Sequence, residues 1–178
     1  MDELDKQIIP TFAQAFFCGS LNGVIKQVLQ FDYYDFGGYY KKLESNQKEF
    51  DKECLKLLTN MQDFLDEEIN RINNQRVYPK VKFIDIEFRG GLETMPFITW
   101  IIEFNGIFKK GINTYEATTP EEELAYNCRS LWSFPEEISV LKVSTKMSYE
   151  IQKNHVVFWA EKEQIIGGEE TILFKLKG

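Results

Sequence analysis

The chain has 178 residues, of which 43% are hydrophobic and 15% aromatic, so it can form one folded core and is not expected to be disordered. Its formal net charge is -7, from 28 acidic and 21 basic residues, and its only adjacent basic pairs are Lys41-Lys42 and Lys109-Lys110. Binding to a nucleic-acid backbone requires clustered Lys and Arg, so this charge pattern argues against a nucleic-acid partner. We expect a single domain, residues 1–178.

The beginning of the chain and its cysteines bear on the cellular compartment. The segment Met1–Asp5 is acidic, and no apolar run approaches the roughly 20 residues that span a bilayer, so we expect neither a signal peptide nor a membrane partner. Cys18, Cys54 and Cys128 are odd in number and widely spaced, which is typical of buried free thiols in a reducing compartment. We therefore expect a cytoplasmic protein whose acidic surface serves solubility or a basic protein partner.

The first part of the chain shows helical periodicity. Apolar residues recur at helical spacing over Glu3–Leu29, which predicts one kinked helix or two short ones with a break near Gly19. A stronger stripe over Tyr39–Asn74 predicts one long amphipathic helix. Because each stripe needs a partner, we expect an antiparallel helical hairpin within residues 1–78.

Beyond Pro79 the periodicity changes to two, and β-branched and aromatic residues dominate the chain. The predicted strands are Val81–Phe88, Phe97–Phe104, Ile107–Tyr115, Ser139–Ile151, His155–Glu161 and Thr171–Lys177. Asn105-Gly106 suits a type I′ turn, so the second and third of these strands should form a hairpin. Residues 152–154 and 166–168 are predicted turns between the last three strands.

A further helix is predicted between the two groups of strands. Thr119-Pro120-Glu121-Glu122 supplies an N-cap, a proline at the first helical position and a capping-box glutamate, so the helix should run over Pro120–Trp132. The complete order predicts an α+β fold, with an N-terminal antiparallel helical hairpin packed on a mostly antiparallel sheet of about six strands (βββ-α-βββ), residues 79–178 being β-rich.

No motif predicts a metal, a cofactor or a catalytic residue. The single histidine, His155, has no Cys or His at zinc-site spacing, and no calcium-loop pattern includes Asp85 and Glu87. The glycine pairs lack phosphate-loop patterns. Cys54 and Cys128 lie on apolar stripes of predicted helices, where thiols are inert. A functional pair of carboxylates remains open, because sequence spacing does not show which acidic residues meet in the fold.

The least ordinary segment is the aromatic run at residues 31–40, which glycines mark as a turn between helical arms. Tyrosines beside aspartates are typical of contact surfaces, because Tyr offers a large area with little entropy to lose. The candidate interaction surface comprises Asp32, Tyr33, Tyr34, Asp35, Phe36, Tyr39 and Tyr40. Alternatively, these rings close the end of the hairpin against the sheet. The loop Arg89–Pro96, with Leu92 and Met95, is a second candidate surface.

Two functions from different classes follow. The favoured one is a non-enzymatic protein-interaction module that binds another protein, analogous in composition and element order to immunity-type inhibitors and secretion chaperones. Homo-oligomerisation is compatible with it. The alternative is a small-ligand-binding protein, or an enzyme that uses carboxylates, with a cleft between the helices and the sheet. This alternative predicts a deep pocket with convergent polar groups and at least one strongly shifted carboxylate pKa.

Overall fold

A computed structural model describes residues 8–178, and the predictions for Met1–Gln7 lie outside the described residues. The described residues are mostly β, with 58% of them in strands and 18% in helices. Its strands are β1 (Ile8–Gly19), β2 (Val24–Asp35), β3 (Ile69–Ile72), β4 (Gln75–Val77), β5 (Lys80–Phe88), β6 (Pro96–Asn105), β7 (Gly111–Glu123), β8 (Asn127–Ser133), β9 (Ile138–Ser144), β10 (Ser148–Gln152), β11 (His155–Ala160) and β12 (Ile165–Leu176). Its helices are α1 (Tyr39–Glu44), α2 (Gln47–Glu67) and a 3-10 turn at Arg89–Gly91. The predicted helical hairpin on a single six-stranded sheet is therefore wrong.

The strands form two sheets. Sheet A has seven strands in the order β10-β11-β8-β1-β2-β6-β5, and sheet B has five in the order β4-β3-β7-β12-β9. All the pairs in sheet A are antiparallel except β1 with β8, which are parallel. The pairs in sheet B are all antiparallel. The prediction of mostly antiparallel pairing is confirmed, although the strands are divided between two layers.

One face of sheet A, its inner face, packs against both sheet B and α2. Along β2 the side chain of Ile25 belongs to the core between the two sheets, whereas Leu29 and Phe31 pack in the core under α2. Along β6, Phe104 belongs to the first core and Trp100 to the second. Sheet B and α2 therefore lie side by side on the same face. The opposite, outer face of sheet A leaves several large apolar side chains exposed.

Residues 8–35 form the hairpin β1–β2, and the predicted helices over Glu3–Leu29 are wrong for these residues. In this hairpin Phe16 pairs with Val28 on the outer face, while the neighbouring Phe17 faces inward. Apolar residues on both faces hide the alternation of a strand and imitate helical spacing. Gly23, with φ of 85°, closes the turn where the helix break was expected. Pairing with neighbouring strands thus overrides the local pattern.

The long amphipathic helix is confirmed only in its central part. Helix α2 begins after Asn46, whose side chain accepts a hydrogen bond from the Glu49 amide, and ends at Glu67. The chain then enters β3, and Asn73-Asn74 turns it into β4 with positive φ at both residues, as a tight hairpin requires. Neither of the α-helices described is long and apolar enough to cross a membrane.

Asn105-Gly106 does not close a hairpin, so that prediction is wrong. Strand β6 pairs with β2 and β5 in sheet A, whereas β7 pairs with β3 and β12 in sheet B. The chain crosses between the layers at Gly106, whose amide donates a 2.9 Å hydrogen bond to the Gly23 carbonyl. A Cβ at Gly106 would lie 2.2 Å from Ile72 Cδ1, so close packing requires glycine here.

The predicted helix over Pro120–Trp132 is also wrong, because this segment contributes to β7 and β8. Proline has no amide hydrogen to donate to a sheet, and it lies here beside an irregularity in the pairing of β7 with β12. Gly167 occupies that irregularity with φ of 84°, and a Cβ on it would lie 2.2 Å from the Pro120 carbonyl oxygen. The predicted turn at residues 166–168 is therefore a bulge inside β12.

Most other β predictions are confirmed. Strands β5, β6, β11 and β12 overlap the predicted segments, and the turn at residues 152–154 joins β10 to β11. The segment Ser139–Ile151, predicted as one strand, is divided into β9 in sheet B and β10 in sheet A. Apolar and polar residues alternate along this segment without a break, so the sequence did not show that the chain passes from sheet B to sheet A. The single domain over residues 1–178 stays a prediction.

Candidate functional site

A cavity of about 580 Å³ lies between α2, the inner face of sheet A and sheet B, and we name it the interlayer cavity. Its size is within the range of small-molecule pockets. Its walls comprise Phe17, Gln27, Leu29, Phe31, Tyr33, Trp100 and Phe104 from sheet A; Leu57, Asn60, Met61, Phe64 and Leu65 from α2; and Glu68, Asn70, Pro79, Tyr115, Ala117, Thr119, Glu122, Tyr126 and Glu170 from sheet B and its connections.

The interlayer cavity adjoins a smaller one, of about 220 Å³, that continues between the two sheets. The two share wall residues, including Ala117 and Glu170. Small side chains line this part of sheet A: Ala13, Ala15, Cys128 and Ser130. On sheet B, Ala117 is paired with Asn70 on one side and Glu170 on the other. The space therefore exists because both sheets present small side chains here, whereas larger side chains would fill the gap between the sheets.

Three polar side chains form a buried chain of hydrogen bonds at the sheet B wall. Tyr115 Oη donates to Asn70 Oδ1 over 2.6 Å, and Asn70 Nδ2 donates to Glu68 Oε2 over 3.2 Å. Burial raises the pKa of Tyr115, and the charges of Glu68 and Glu170 add to this effect. The hydroxyl therefore stays protonated and acts as a donor, which fixes the orientation of the Asn70 amide.

The wall is acidic. Burial raises the pKa of Glu68, and the nearby carboxylate of Glu170 adds to the shift, against an opposing hydrogen bond from Asn70. Glu170 accepts a hydrogen bond from the Thr145 hydroxyl. Glu122 is the third carboxylate in the wall. The alternative ligand-binding prediction required convergent polar groups and a strongly shifted carboxylate pKa. This cavity brings polar groups together, and it meets the second requirement only in direction, since the pKa of Glu68 is raised.

The wall of sheet A is aromatic and contains an unpaired donor. Trp100 is 3% exposed, and its indole Nε1 has no hydrogen-bond partner among the described residues. The ring of Phe31 contacts Trp100 edge-on, with centroids 5.9 Å apart, and contacts Tyr126 at 5.8 Å. A buried indole N–H normally has an acceptor, so this group is an exception in the core under α2.

The aromatic segment at residues 31–40 is not a turn between helices, because its first half is the end of β2. Tyr33 faces inward and lines the interlayer cavity. Asp32 faces outward, where its Oδ1 accepts a 2.8 Å bond from Arg89 Nε. Tyr34 and Phe36 are exposed, and their ring centroids lie 4.4 Å apart.

The remaining members of the predicted interaction surface lie around α1. Asp35 is fully buried, and its Oδ2 accepts a 3.0 Å bond from the Tyr40 amide. Tyr40 is buried in the core under α2, and Tyr39 donates from its hydroxyl to Glu53 over 3.1 Å. The seven residues are therefore divided between the cavity, the core and the surface. Their role in an interaction stays a prediction.

Within residues 8–178 there is no cluster of His, Cys, Asp and Glu suited to holding a metal ion. Cys18 is exposed, so the expectation of three buried thiols is wrong at this position. Burial raises the pKa of the Cys54 and Cys128 thiols, which makes them poor nucleophiles at neutral pH.

The outer face of sheet A carries a row of apolar side chains that lie directly opposite one another on six neighbouring strands. We name it the outer apolar row, and it consists of Val157, Leu131, Phe16, Val28, Ile101 and Phe83. Phe16 is 43% exposed and Phe83 is 52% exposed. The prediction from sequence missed this row because it assigned three of the six residues, Phe16, Val28 and Leu131, to helices.

Sequence reasoning also missed most of the cavity wall. Residues 68–70 were assigned to the long helix, and residues 122–126 to the helix that starts at Pro120. One available signal was the alternation of Leu29, Phe31 and Tyr33 with polar Gln30 and Asp32, which is the pattern of a strand with one buried face. It was not used, because glycines near its end marked the segment as a turn.

The fold and the site define a two-sheet, β-rich protein with a cavity between its layers. The sequence matches no protein-family model and no characterised protein. Among solved structures, it is similar to the folded domain of LppM from Mycobacterium tuberculosis, with 7% identity, 100% of this chain and 96% of that chain covered, and a TM-score of 0.48.

Two further solved structures show weaker likeness. A protein from Legionella pneumophila described as nutrient-binding is 7% identical, with 95% of this chain and 67% of that chain covered and a TM-score of 0.40. An M1 zinc metallopeptidase from Deinococcus radiodurans is 4% identical, with 94% of this chain covered and a TM-score of 0.41; this chain spans 42% of its length. At these levels of similarity none of the three assigns a function to this chain.

Proposed function

We propose that this protein binds a small ligand with an apolar body in the interlayer cavity. The observation that carries the proposal is a cavity of about 580 Å³ whose apolar walls hold one buried polar chain, Tyr115–Asn70–Glu68. Ligand pockets are mostly apolar with a few fixed polar groups, because burial of apolar surface supplies affinity and the polar groups supply orientation.

The same geometry favours binding over catalysis. The side-chain partner of Glu68 in the polar chain is the amide of Asn70, which does not exchange protons near neutral pH. The raised pKa of Tyr115 likewise keeps its proton in place. A general acid or base needs a partner that can accept or deliver a proton, and this chain of hydrogen bonds provides orientation instead.

Titration with the neutral dye Nile red tests the proposal, because its fluorescence rises in apolar surroundings. Replacing Ala117 by Trp fills the cavity, and replacing Met61 by Trp narrows it from the α2 side. We expect each variant to bind the dye at least about tenfold more weakly. Thr118→Trp is the matched control, because Thr118 is the adjacent residue on the opposite face of β7, and its affinity should stay within about twofold of the wild type.

Circular dichroism establishes that each variant is folded before its affinity is compared. A wild-type protein that does not bind Nile red contradicts the proposal. So does a folded Ala117→Trp or Met61→Trp variant that binds as tightly as the wild type.

The outer apolar row supports the interaction module that the sequence favoured. We propose that its partner is a second copy of this chain. In this dimer the twofold axis runs parallel to the strands and passes between β1 and β2. It places Phe16 of one copy over Val28 of the other, and Phe83 on β5 of one copy over Val157 on β11 of the other. The row is therefore complementary to itself, as a symmetric dimer requires.

The size of the face is sufficient for such a dimer. Seven strands span about 30 Å and a strand of twelve residues about 40 Å, so the face exceeds the roughly 800 Å² that each partner contributes to a stable complex. Two sheets stacked in this way form an additional sandwich layer.

Light scattering after size exclusion, over a range of concentrations, tests the dimer. We expect a mass of about 42 kDa, twice the 21.0 kDa of the chain. Phe16→Glu should give the monomer, because a carboxylate at the centre of the row would be desolvated. Leu55→Glu, on the exposed side of α2, is the control and should remain dimeric. A wild type that is monomeric up to about 100 µM, or a dimeric Phe16→Glu variant, contradicts this second proposal.

A further inference from the structure

We infer that the ligand of the interlayer cavity is an organic cation, an amine or quaternary ammonium group joined to an apolar body. This inference rests on the function proposed above and specifies the chemical class of the ligand. It follows from the charge of the cavity wall and from the aromatic side chains beside that charge.

The charge of the wall is of one sign. Its residues include the carboxylates Glu68, Glu122 and Glu170, and no Lys, Arg or His among the described residues lines it. The ion pairs found within residues 8–178 involve none of the three. Outside the cavity, Arg76 Nη2 donates to the backbone carbonyl of Glu68 over 3.1 Å, and Arg129 lines the adjoining smaller cavity. The carboxylates therefore lack a cationic partner inside the cavity.

Two of these carboxylates influence each other at the sheet B wall. Glu170 raises the pKa of Glu68, and both raise the pKa of Tyr115. The strand register places Glu170 on one side of Ala117 and Asn70 on the other. Because the Ala117 side chain is small, it leaves space between these two polar residues. A cation in this space would lie near both carboxylates and would offset the cost of their burial.

The aromatic side chains provide a second attraction for a cation. Eight of the wall residues are aromatic, among them Phe31, Trp100 and Tyr115. A cation over the face of such a ring is attracted by the negative charge of the π system, and aromatic cages bind quaternary ammonium groups in this way.

The other ligand classes fit less well. An anionic amphiphile, such as a fatty acid, would bring its carboxylate into a cavity with three carboxylates and no basic residue, where like charges repel. A neutral ligand would leave the wall carboxylates with hydrogen-bond partners but without a cationic partner. The cation is the class whose charge the described wall complements.

Calorimetric titration with three probes of equal chain length tests the inference: octyltrimethylammonium, 1-octanol and octanoate, each below its micelle-forming concentration. We expect the ammonium probe to bind at least about tenfold more tightly than 1-octanol, and octanoate to bind most weakly. If none of the three binds, the function proposed above fails together with this inference. If 1-octanol or octanoate binds as tightly as the cation, only the inference about charge fails.

Variants then test the role of the carboxylates. Glu68→Gln and Glu170→Gln keep the side-chain shape and remove the charge. Each substitution should therefore lower the affinity for the ammonium probe about tenfold and keep the affinity for 1-octanol within about twofold of the wild-type value. Glu169→Gln is the matched control, because Glu169 is exposed on the other face of β12 and its loss should change neither affinity. Unchanged binding of the cation by both cavity variants overturns the inference, and so does an equal loss for both probes.

Discussion

Tyr115 and Asn70, which are 45 positions apart in the sequence, are joined by a hydrogen bond of 2.6 Å between Tyr115 Oη and Asn70 Oδ1. They lie on the neighbouring strands β7 and β3, where Asn70 pairs with Ala117 and Tyr115 with Ile72. The bond is therefore diagonal across the pair, and it reaches over the small side chain of Ala117. The orientation of the Asn70 amide towards Glu68 depends on this register.

Removing this hydroxyl should destabilise the protein. Tyr115→Phe leaves the Oδ1 atom of a fully buried amide without its donor, and such a group costs about 1–3 kcal/mol in the free energy of unfolding. Urea denaturation measures the change. Tyr149→Phe, which removes an exposed hydroxyl from β10, should change the stability by less than about 0.5 kcal/mol. Equal stability of the Tyr115→Phe variant and the wild type would show that the bond contributes nothing.

Glu68 should make the stability depend on pH. Its pKa in the folded state is raised above the ordinary value of 4.5, so its favourable contribution is complete below pH 4.5 and is lost as the pH rises through the folded-state pKa. Relative to Glu68→Gln, the wild type should therefore lose stability as the pH is raised from below 4.5 towards neutrality. Urea denaturation of both proteins across this range measures the difference, with Glu169→Gln as the control. A difference that does not change with pH would contradict the prediction.

The close approach of two glycines should make the crossing between the sheets sensitive to substitution. A Cβ at Gly23 would lie 1.9 Å from the Gly106 carbonyl oxygen, and Gly23 has φ of 85°. Gly90 also has a positive φ, of 59°, but its Cβ would meet no atom within 4 Å. Gly90→Ala should therefore cost about 1 kcal/mol for the backbone conformation alone. Gly23→Ala should cost about 1–3 kcal/mol more because of the clash.

The same denaturation measurement compares these two glycine variants. If they lose equal stability, then the contact between Gly23 and Gly106 does not constrain the fold. Retention of the far-ultraviolet circular dichroism spectrum in both variants is the control for correct folding.

Helix α2 should be anchored by its buried face. Leu65 is 5% exposed and packs in the core under the helix, so Leu65→Ala should cost about 2–5 kcal/mol in the free energy of unfolding. Leu55 lies on the same helix and is 65% exposed, so Leu55→Ala should change the stability by less than about 0.5 kcal/mol. Thermal or urea denaturation of the pair measures the contrast. Similar losses for both variants would mean that α2 does not pack as described.

The elements that the sequence predicts most clearly are those with one buried face. The central part of α2 and the strands β5, β6, β11 and β12 were predictable, because their apolar residues follow a single period. Helix α2 is amphipathic over Gln47–Glu67, and its N-cap Asn46 is a residue that favours this position. These elements needed no information about distant parts of the chain.

The candidate site was only partly predictable. The composition and the carboxylates supported a small-ligand alternative with a cleft between helices and sheet, and the structure contains a cavity between α2 and the sheets. Its polar residues could not be chosen in advance, because Glu68, Asn70, Tyr115 and Glu170 come together only through the pairing of β3, β7 and β12. Pairing over such distances leaves no trace in local spacing.

By itself the sequence determined an acidic, aromatic-rich chain with a β-rich second half and one strong helix. Only the tertiary structure decided that residues 8–35 are strands, because the apolar side chains of β1 and β2 face both ways and their local period is ambiguous. It also decided which face of sheet A meets α2 and sheet B. The physical reason is that a strand gains its hydrogen bonds and most of its burial from partners far along the chain, whereas a helix forms its hydrogen bonds within itself.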